Sequence, residues 1–173
     1  MDFEELARER YSLRYMDPEK KVEMEKLQKL AEVARISPSA CNLQRHRLTM
    51  VVSDEGIEKI KKCTQCHFNA PAVIILSIDS DTGKSIMDKT AGEKFGLIDI
   101  GIVAAHIALE ATELGLGSTI VGLFDEKKIK KEFDIPKGQT PVLIMPIGYP
   151  TEKGGPSIKH KSRYPLDKTV SWM

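Results

Sequence analysis

Cysteine is scarce in this sequence: 173 residues contain three. An odd, low count argues against a disulfide framework and leads us to expect a reducing compartment, the cytoplasm. A dominant charge sign is also missing, since 26 Lys and Arg stand against 25 Asp and Glu for a net charge of +1. No bulk field therefore draws the chain to nucleic acid or to a membrane surface, and any anion site must be built locally. The opening Met1-Asp2-Phe3-Glu4-Glu5 is acidic and does not read as a secretory signal. The most apolar stretch, Ile98 to Ala111, is interrupted by Asp99, His106 and Glu110. It reads as a buried helix rather than a bilayer span, with His106 as a packed or hydrogen-bonded core histidine. Internal repeats, low-complexity segments, a phosphate loop and a recognisable nucleophile triad are absent. Gly115-Leu116-Gly117 fails as a dinucleotide fingerprint, because it follows a helix and the third glycine would fall at Ile120.

What is present suffices for a core: 41% of residues are hydrophobic, so we expect one domain over 1–173 with 150–173 as a tail. Asp2 and Glu5 form a capping pair for a short helix through Arg8. A second helix is predicted from Pro18 to about Arg35, and Ser37-Pro38-Ser39 stops it. A strand at Leu48–Val52 precedes a short helix capped by Asp54 and running to Lys62. Ala72–Ile78 reads as a buried strand and Asp79–Gly83 as a turn. A long helix from Glu93 to Leu114 ends at Gly115. Ser118–Val121 and part of Pro141–Tyr149 read as strands, with a small helix capped by Asp125 between them. Helices and strands interleave without a strict βαβ rhythm, so the class is α+β.

Several motifs bear on chemistry. Cys63-Thr64-Gln65-Cys66-His67 matches a haem-attachment pattern, but no export signal accompanies it, and zinc would need two more ligands. A redox dithiol stays open, and incidental thiols are the plainer reading. In Arg10-Tyr11-Ser12-Leu13-Arg14, an extended backbone sends Arg10, Ser12 and Arg14 to one side, as a phosphate clamp requires. The same spacing recurs at Lys161 and Arg163. Two such segments at opposite ends of a nearly neutral chain suggest one shared anion. Ser37-Pro38-Ser39-Ala40-Cys41-Asn42-Leu43-Gln44 supplies small side chains and amides able to approach a flat heterocycle, although a generic turn would use similar residues. Gly122 would let backbone come close to a ligand.

Taken in order, these segments resemble the nitroreductase-like flavoproteins. The likeness rests on R-x-S-x-R at 10–14, S-P-S-x-x-N-x-Q at 37–44, A-P at 70–71 entering a strand, G-L-G-S at 115–118, I-G-Y-P at 147–150 and K-x-R at 161–163. The resemblance implies a nitroreductase-like fold, a central, mostly antiparallel sheet flanked by helices, in an intertwined homodimer whose tail packs on the partner. It implies FMN, with Arg10, Ser12, Arg14, Lys161 and Arg163 at the phosphate and ribityl end. Pro38, Ser39, Ala40 and Asn42 would come from the other subunit, and Gly122 and Leu123 would present backbone near the reactive edge. The implied activity is hydride transfer from NAD(P)H through flavin N5 to a nitroaromatic or quinone, in ping-pong order. The alternatives are a non-enzymatic FMN-binding protein or another reaction on the same fold, such as reductive dehalogenation. The chain departs from the family at Gln44-Arg45-His46, where Q-P-W is common, and in the brevity of the segment between Lys62 and Ala70. These departures leave the roles of Arg45 and His46 and the substrate open.

Overall fold

The computed structural model describes residues 1–82 and 86–173, and the side chains of all of these except 86–94. Gly83, the end of the expected turn, lies outside the described residues.

Asp2 and Glu5 form the reciprocal capping box that opens α1, Phe3–Glu9. The second helix, α2 (Met24–Ile36), starts six residues later than Pro18. Glu23 sits at its N-cap without a side-chain cap. The residues before it instead surround Tyr149: Glu23 accepts from Tyr149 Oη at 2.6 Å, and Lys20 Nζ lies 3.8 Å from the ring centre. Strand β1 covers His46–Val51, and α3 covers Asp54–Cys63. Ser53 rather than Asp54 caps α3, through Gly56 N–H at 3.1 Å; Asp54 already lies in the first turn, where a carboxylate favours the helix dipole.

Strand β2 is Ala72–Asp79, and α4 runs Ile86–Glu113, earlier in its start than Glu93. Its 28 residues give a rod of about 42 Å. By length and apolar composition its 95–113 portion would suffice to cross a membrane; here one face of it packs on the sheet. Gly115, at φ 72°, ends α4. Leu116 N–H reaches back to Ala111 O at 2.7 Å and Gly115 N–H to Thr112 O at 3.0 Å, the paired bonds of a left-handed helix stop. Strand β3 is only Gly117–Ser118, with Val121 making an isolated bridge to Ile144. The expected Ser118–Val121 strand shortens where Thr119 stands opposite Pro146: Thr119 N–H donates to Pro146 O at 3.2 Å, but a proline has no N–H to return, and Thr119 Oγ1 donates to Leu13 O. Helix α5 (Glu126–Glu132) is capped by Asp125, and β4 is Gln139–Gly148. The tail contains two short 3-10 turns, Ile158–Lys161 and Leu166–Lys168.

The sheet has the order β1-β2-β4-β3 and is antiparallel throughout. This is the α+β architecture expected. Alternation along β2 divides the core between the two faces. Ala72, Ile74 and Leu76 join α2 and α4 in one cluster. Val73 and Ile75 join α3, α5, Leu13 and Met16 in the other. With both faces covered, β2 reads as the unbroken apolar run seen in the sequence.

Candidate functional site

The residues singled out in the sequence fall into two groups at opposite edges of the sheet. At the β3 edge, the 10–16 segment docks as an extra half-strand. Ser12 bridges Ser118 in parallel fashion, and Leu13 N–H donates to Ser118 O at 3.1 Å. Gly117 makes this approach possible, since a Cβ there would stand 2.2 Å from Leu13 Cδ2. Leu13 and Met16 are buried, while Arg14 is exposed and Arg10 and Ser12 are half-buried. The tail returns to the same segment: Tyr11 Oη donates to Gly154 O at 3.1 Å, and His160 Nε2 lies 2.9 Å from Arg8 O.

Between α1 and the tail lies a cavity of about 660 Å³ whose lining includes Arg8, Tyr11, His160, Lys161 and Arg163. Lys161 and Arg163 thus share it with Tyr11 of the first basic segment, whereas Arg10 and Arg14 are not among its lining residues. Arg14 lines a second hollow, of about 530 Å³, with Phe68, Asn69 and Lys153. Sequence reasoning missed Arg8 and His160. Arg8 reads as a helix-surface partner of Glu4 four residues before it, and it does pair with Glu4. Among the described residues, Arg10, Arg14, Lys161 and Arg163 form no ion pair with a carboxylate, although nine other pairs occur. Burial pushes the Tyr11 phenol above its ordinary range.

Gly122 and Leu123 follow β3 and are exposed. A Cβ on Gly122 would meet only Leu143, at 3.9 Å, so the packing of this chain does not require glycine there. Among the described residues neither Gly122 nor Leu123 donates its N–H. The loop is anchored from the Cys63–His67 segment: Thr64 Oγ1 donates to Leu123 O at 2.6 Å and Asp125 N–H to Cys63 O at 2.8 Å. Cys63 is buried and its thiol is pushed up by burial, which suits a packing role better than a reactive one. His67 Nδ1 accepts from Asn69 N–H at 3.1 Å, and burial lowers its pKa.

The second group, Pro38, Ser39, Ala40 and Asn42, lies at the other edge, immediately before β1. Three residues in this loop, Cys41, Asn42 and Gln44, adopt φ between 49° and 54°, a region that costs a non-glycine residue about 1–2 kcal/mol. Ser39 Oγ accepts from Gln44 N–H at 3.0 Å, and Asp99 Oδ1 accepts from Ala40 N–H at 3.0 Å. Arg45 and His46 are buried rather than presented to solvent. Burial, then the neighbouring Arg47 charge, lowers the His46 pKa, while Asp99 partly offsets them. His106 differs from the expected core residue. It is exposed on α4, with Nδ1 2.9 Å from Ile102 O. Ser12 thus pairs with β3, with Arg10 and Arg14 flanking it, Lys161 and Arg163 line the cavity between α1 and the tail, Gly122 follows β3, and Pro38–Asn42 precede β1.

Comparison with known proteins agrees with this architecture. The nitroreductase family model matches residues 7–69 and 61–149. A Methanothermobacter thermautotrophicus protein, named as a candidate NADH dehydrogenase/NAD(P)H nitroreductase, is 31% identical over 90% of this chain and 81% of its own length. A crystal structure of a Clostridium difficile nitroreductase family protein superposes with a TM-score of 0.85 at 38% identity, covering 99% of this chain and 98% of that one. A structure from Exiguobacterium sibiricum, determined in complex with FMN, has a TM-score of 0.82 at 24% identity, covering 100% and 98%. The chain belongs to the nitroreductase family, and it is an oxidoreductase of that family.

Proposed function

We propose that this oxidoreductase is an FMN-dependent enzyme that takes hydride from NADH or NADPH and delivers it to an electron-poor acceptor such as a nitroaromatic or quinone. The observation that carries this reading is the contact between the N-terminal and C-terminal stretches, Tyr11 Oη on Gly154 O and His160 beside Arg8 O, more than 140 residues apart in sequence and next to the two basic segments. Among the described residues Arg10, Arg14, Lys161 and Arg163 form no ion pair with a carboxylate, as a doubly charged phosphate would want. Arg10, Ser12, Arg14, Lys161 and Arg163 bind the phosphate and ribityl end. The N–H groups of Gly122 and Leu123, which donate to nothing among the described residues, would be available to the flavin, with open space over Gly122. FMN, when bound, would supply two-electron hydride chemistry, with the nicotinamide and the acceptor taking turns in ping-pong order. The protein's share is to bind, orient and exclude water; no side-chain nucleophile is required.

The active species is a homodimer of single-domain chains, 1–173, in which Pro38, Ser39, Ala40 and Asn42 of each protomer complete the partner's site. Three features support it. The two groups of residues lie at opposite sheet edges, so a second copy is the natural source of the missing half. Phe95, Ile98, Ile102, Ala105 and Leu109 recur three and four apart along α4 and are exposed or half-buried, an apolar stripe suited to a second helix. The tail 150–173 leaves Ile158 fully exposed and Trp172 87% exposed, apolar surface better used against a partner.

The test is the visible spectrum of the purified protein with identification of the released cofactor. Yellow protein that yields FMN on denaturation, and that a reduced nicotinamide bleaches, is expected; a colourless protein that takes up no FMN on titration overturns the reading. Removal of the chain after Tyr164 should lower both dimer stability and FMN retention. An unchanged dimer with its flavin overturns the tail exchange.

A further inference from the structure

We infer that Asp99 is a positioning residue for the Ser39–Asn42 loop, holding a strained backbone in the shape that the ligand needs. The inference rests on the reading that this loop contributes to the FMN site. Asp99 sits in the middle of α4 and is 3% exposed. A buried carboxyl among apolar neighbours such as Ile100 and Val103 is costly unless its oxygens are used. One of them accepts the Ala40 N–H at 3.0 Å, across 59 residues of sequence.

The loop it holds departs from relaxed geometry. Cys41, Asn42 and Gln44 are all left-handed, and none is glycine. Such backbone persists only where its surroundings over-determine it. The loop's own bonds, Asn42 N–H to Ser39 O, Leu43 N–H to Ala40 O and Gln44 N–H to Ser39 Oγ, close it on itself. Its far end is held from the sheet, by Arg47 Nη1 donating to Gln44 O at 2.8 Å and Asp79 N–H to Arg45 O at 2.8 Å. The Asp99 bond holds its near end, tying Ala40 to the helix whose neighbouring residues Ile98 and Ile102 carry the apolar stripe. Anything that seats a second helix on that stripe thereby sets the loop as well. Asp99 bonds the Ala40 amide and, among the described residues, shares no hydrogen bond or ion pair with Arg10, Ser12, Arg14, Lys161 or Arg163, so its influence is expected on the 39–42 loop and not on the charge clamp.

The test compares Asp99→Ala, which removes the acceptor, with Asp99→Asn, which keeps an oxygen in place. Amide hydrogen exchange is followed at Ala40 and, as an internal control, at Ile74 and Ile75 of β2; FMN and riboflavin are titrated in parallel. In Asp99→Ala, exchange at Ala40 should rise about tenfold or more, the scale of a lost bond to a buried donor, with the β2 amides unmoved. Both flavins should weaken by a similar factor, since the loop serves the ring, and Asp99→Asn should recover most of each loss. Unchanged exchange at Ala40 in Asp99→Ala overturns the inference. So does loosening of Ala40 with both flavins bound as tightly as before. If Asp99→Ala also opens β2, Asp99→Asn decides: rapid Ala40 exchange over an intact β2 overturns the inference, and retained protection supports it. Failure of the unsubstituted protein to bind FMN would instead defeat the proposed function, while the exchange data would still report whether Asp99 holds the loop.

Discussion

The two edges of the sheet are built on opposite principles. At the β3 edge the docked 10–16 segment is relaxed: its backbone pairs with Ser118, its apolar residues Leu13 and Met16 are buried, and Gly117 clears the space it needs. At the β1 edge the 39–44 loop is left-handed at three non-glycine positions and leans on a buried carboxyl from α4. The first edge is what packing alone would produce. The second is held in a less favoured backbone by bonds from Asp99, Ser39 and Arg47, and backbone held in this way is a place to look for a bound ligand.

The contrast can be broken from either side. The largest effect should follow Gly117→Val, which drives a side chain into Leu13. A loss of about 3 kcal/mol is expected, or a fall in Tm of roughly 6–12 °C, read by thermal unfolding of the ligand-free protein. A Tm within 2 °C of the parent, about the shift for less than 1 kcal/mol in a chain of this size, would show that the docked segment is dispensable. Next in size, Arg14→Ala should weaken FMN about 10- to 100-fold, the scale of one charge-assisted hydrogen bond. Riboflavin, lacking the phosphate, should lose much less, and equal losses in parallel titrations would remove Arg14 from the clamp.

At the other edge the sign should reverse. Cys41 stands at φ 52°, so Cys41→Gly should stabilise the ligand-free protein by up to about 1 kcal/mol, less whatever the unfolded chain gains in freedom. Any clear destabilisation in a denaturant titration would mean that the loop is not strained. The smallest effect concerns pH. His46 has its pKa lowered from 6.5 in the folded chain, chiefly by burial, so below that value the unfolded chain takes up the proton first. Stability should therefore be level above about pH 6.5 and fall as the pH drops through the window beneath it, where the ordinary histidine value lies. His67 is shifted in the same direction. His46→Gln should flatten part of the fall, and an identical pH profile in that variant would refute the assignment.

Much of the frame was legible in the residues. The Asp2–Glu5 box, the Asp125 cap and the Gly115 stop are local devices, and each appears where its side chain or its missing Cβ demands. Errors arose where a distant partner decides. Pro18 does not start a helix because the residues up to Glu23 are drawn to Tyr149, far along the chain. Likewise β3 is short because Pro146 of β4, opposite Thr119, has no N–H to return. For the site, R-x-S-x-R and K-x-R stood out as charge patterns; the structure puts Tyr11 in one cavity with Lys161 and Arg163 and leaves Arg14 at another. Arg8 was hidden by an ordinary helix ion pair. Asp99 looked like a mere interruption of an apolar run, since a sequence cannot show which backbone amide a buried carboxyl will find.

The closure of the β3 edge also fixes an order in time. Tyr11 meets Gly154 across 143 residues and Arg8 meets His160 across 152. At synthesis rates of about 5–20 residues per second, the first turn of the chain waits roughly 8–30 s for its partners to be made. Leu13 and Met16 find Ser118 and Phe68 earlier, so the edge is seated before the tail reaches it. The basic pair at the tail thus arrives late, and a nascent chain halted before residue 160 would hold every strand of the sheet without the cations Lys161 and Arg163.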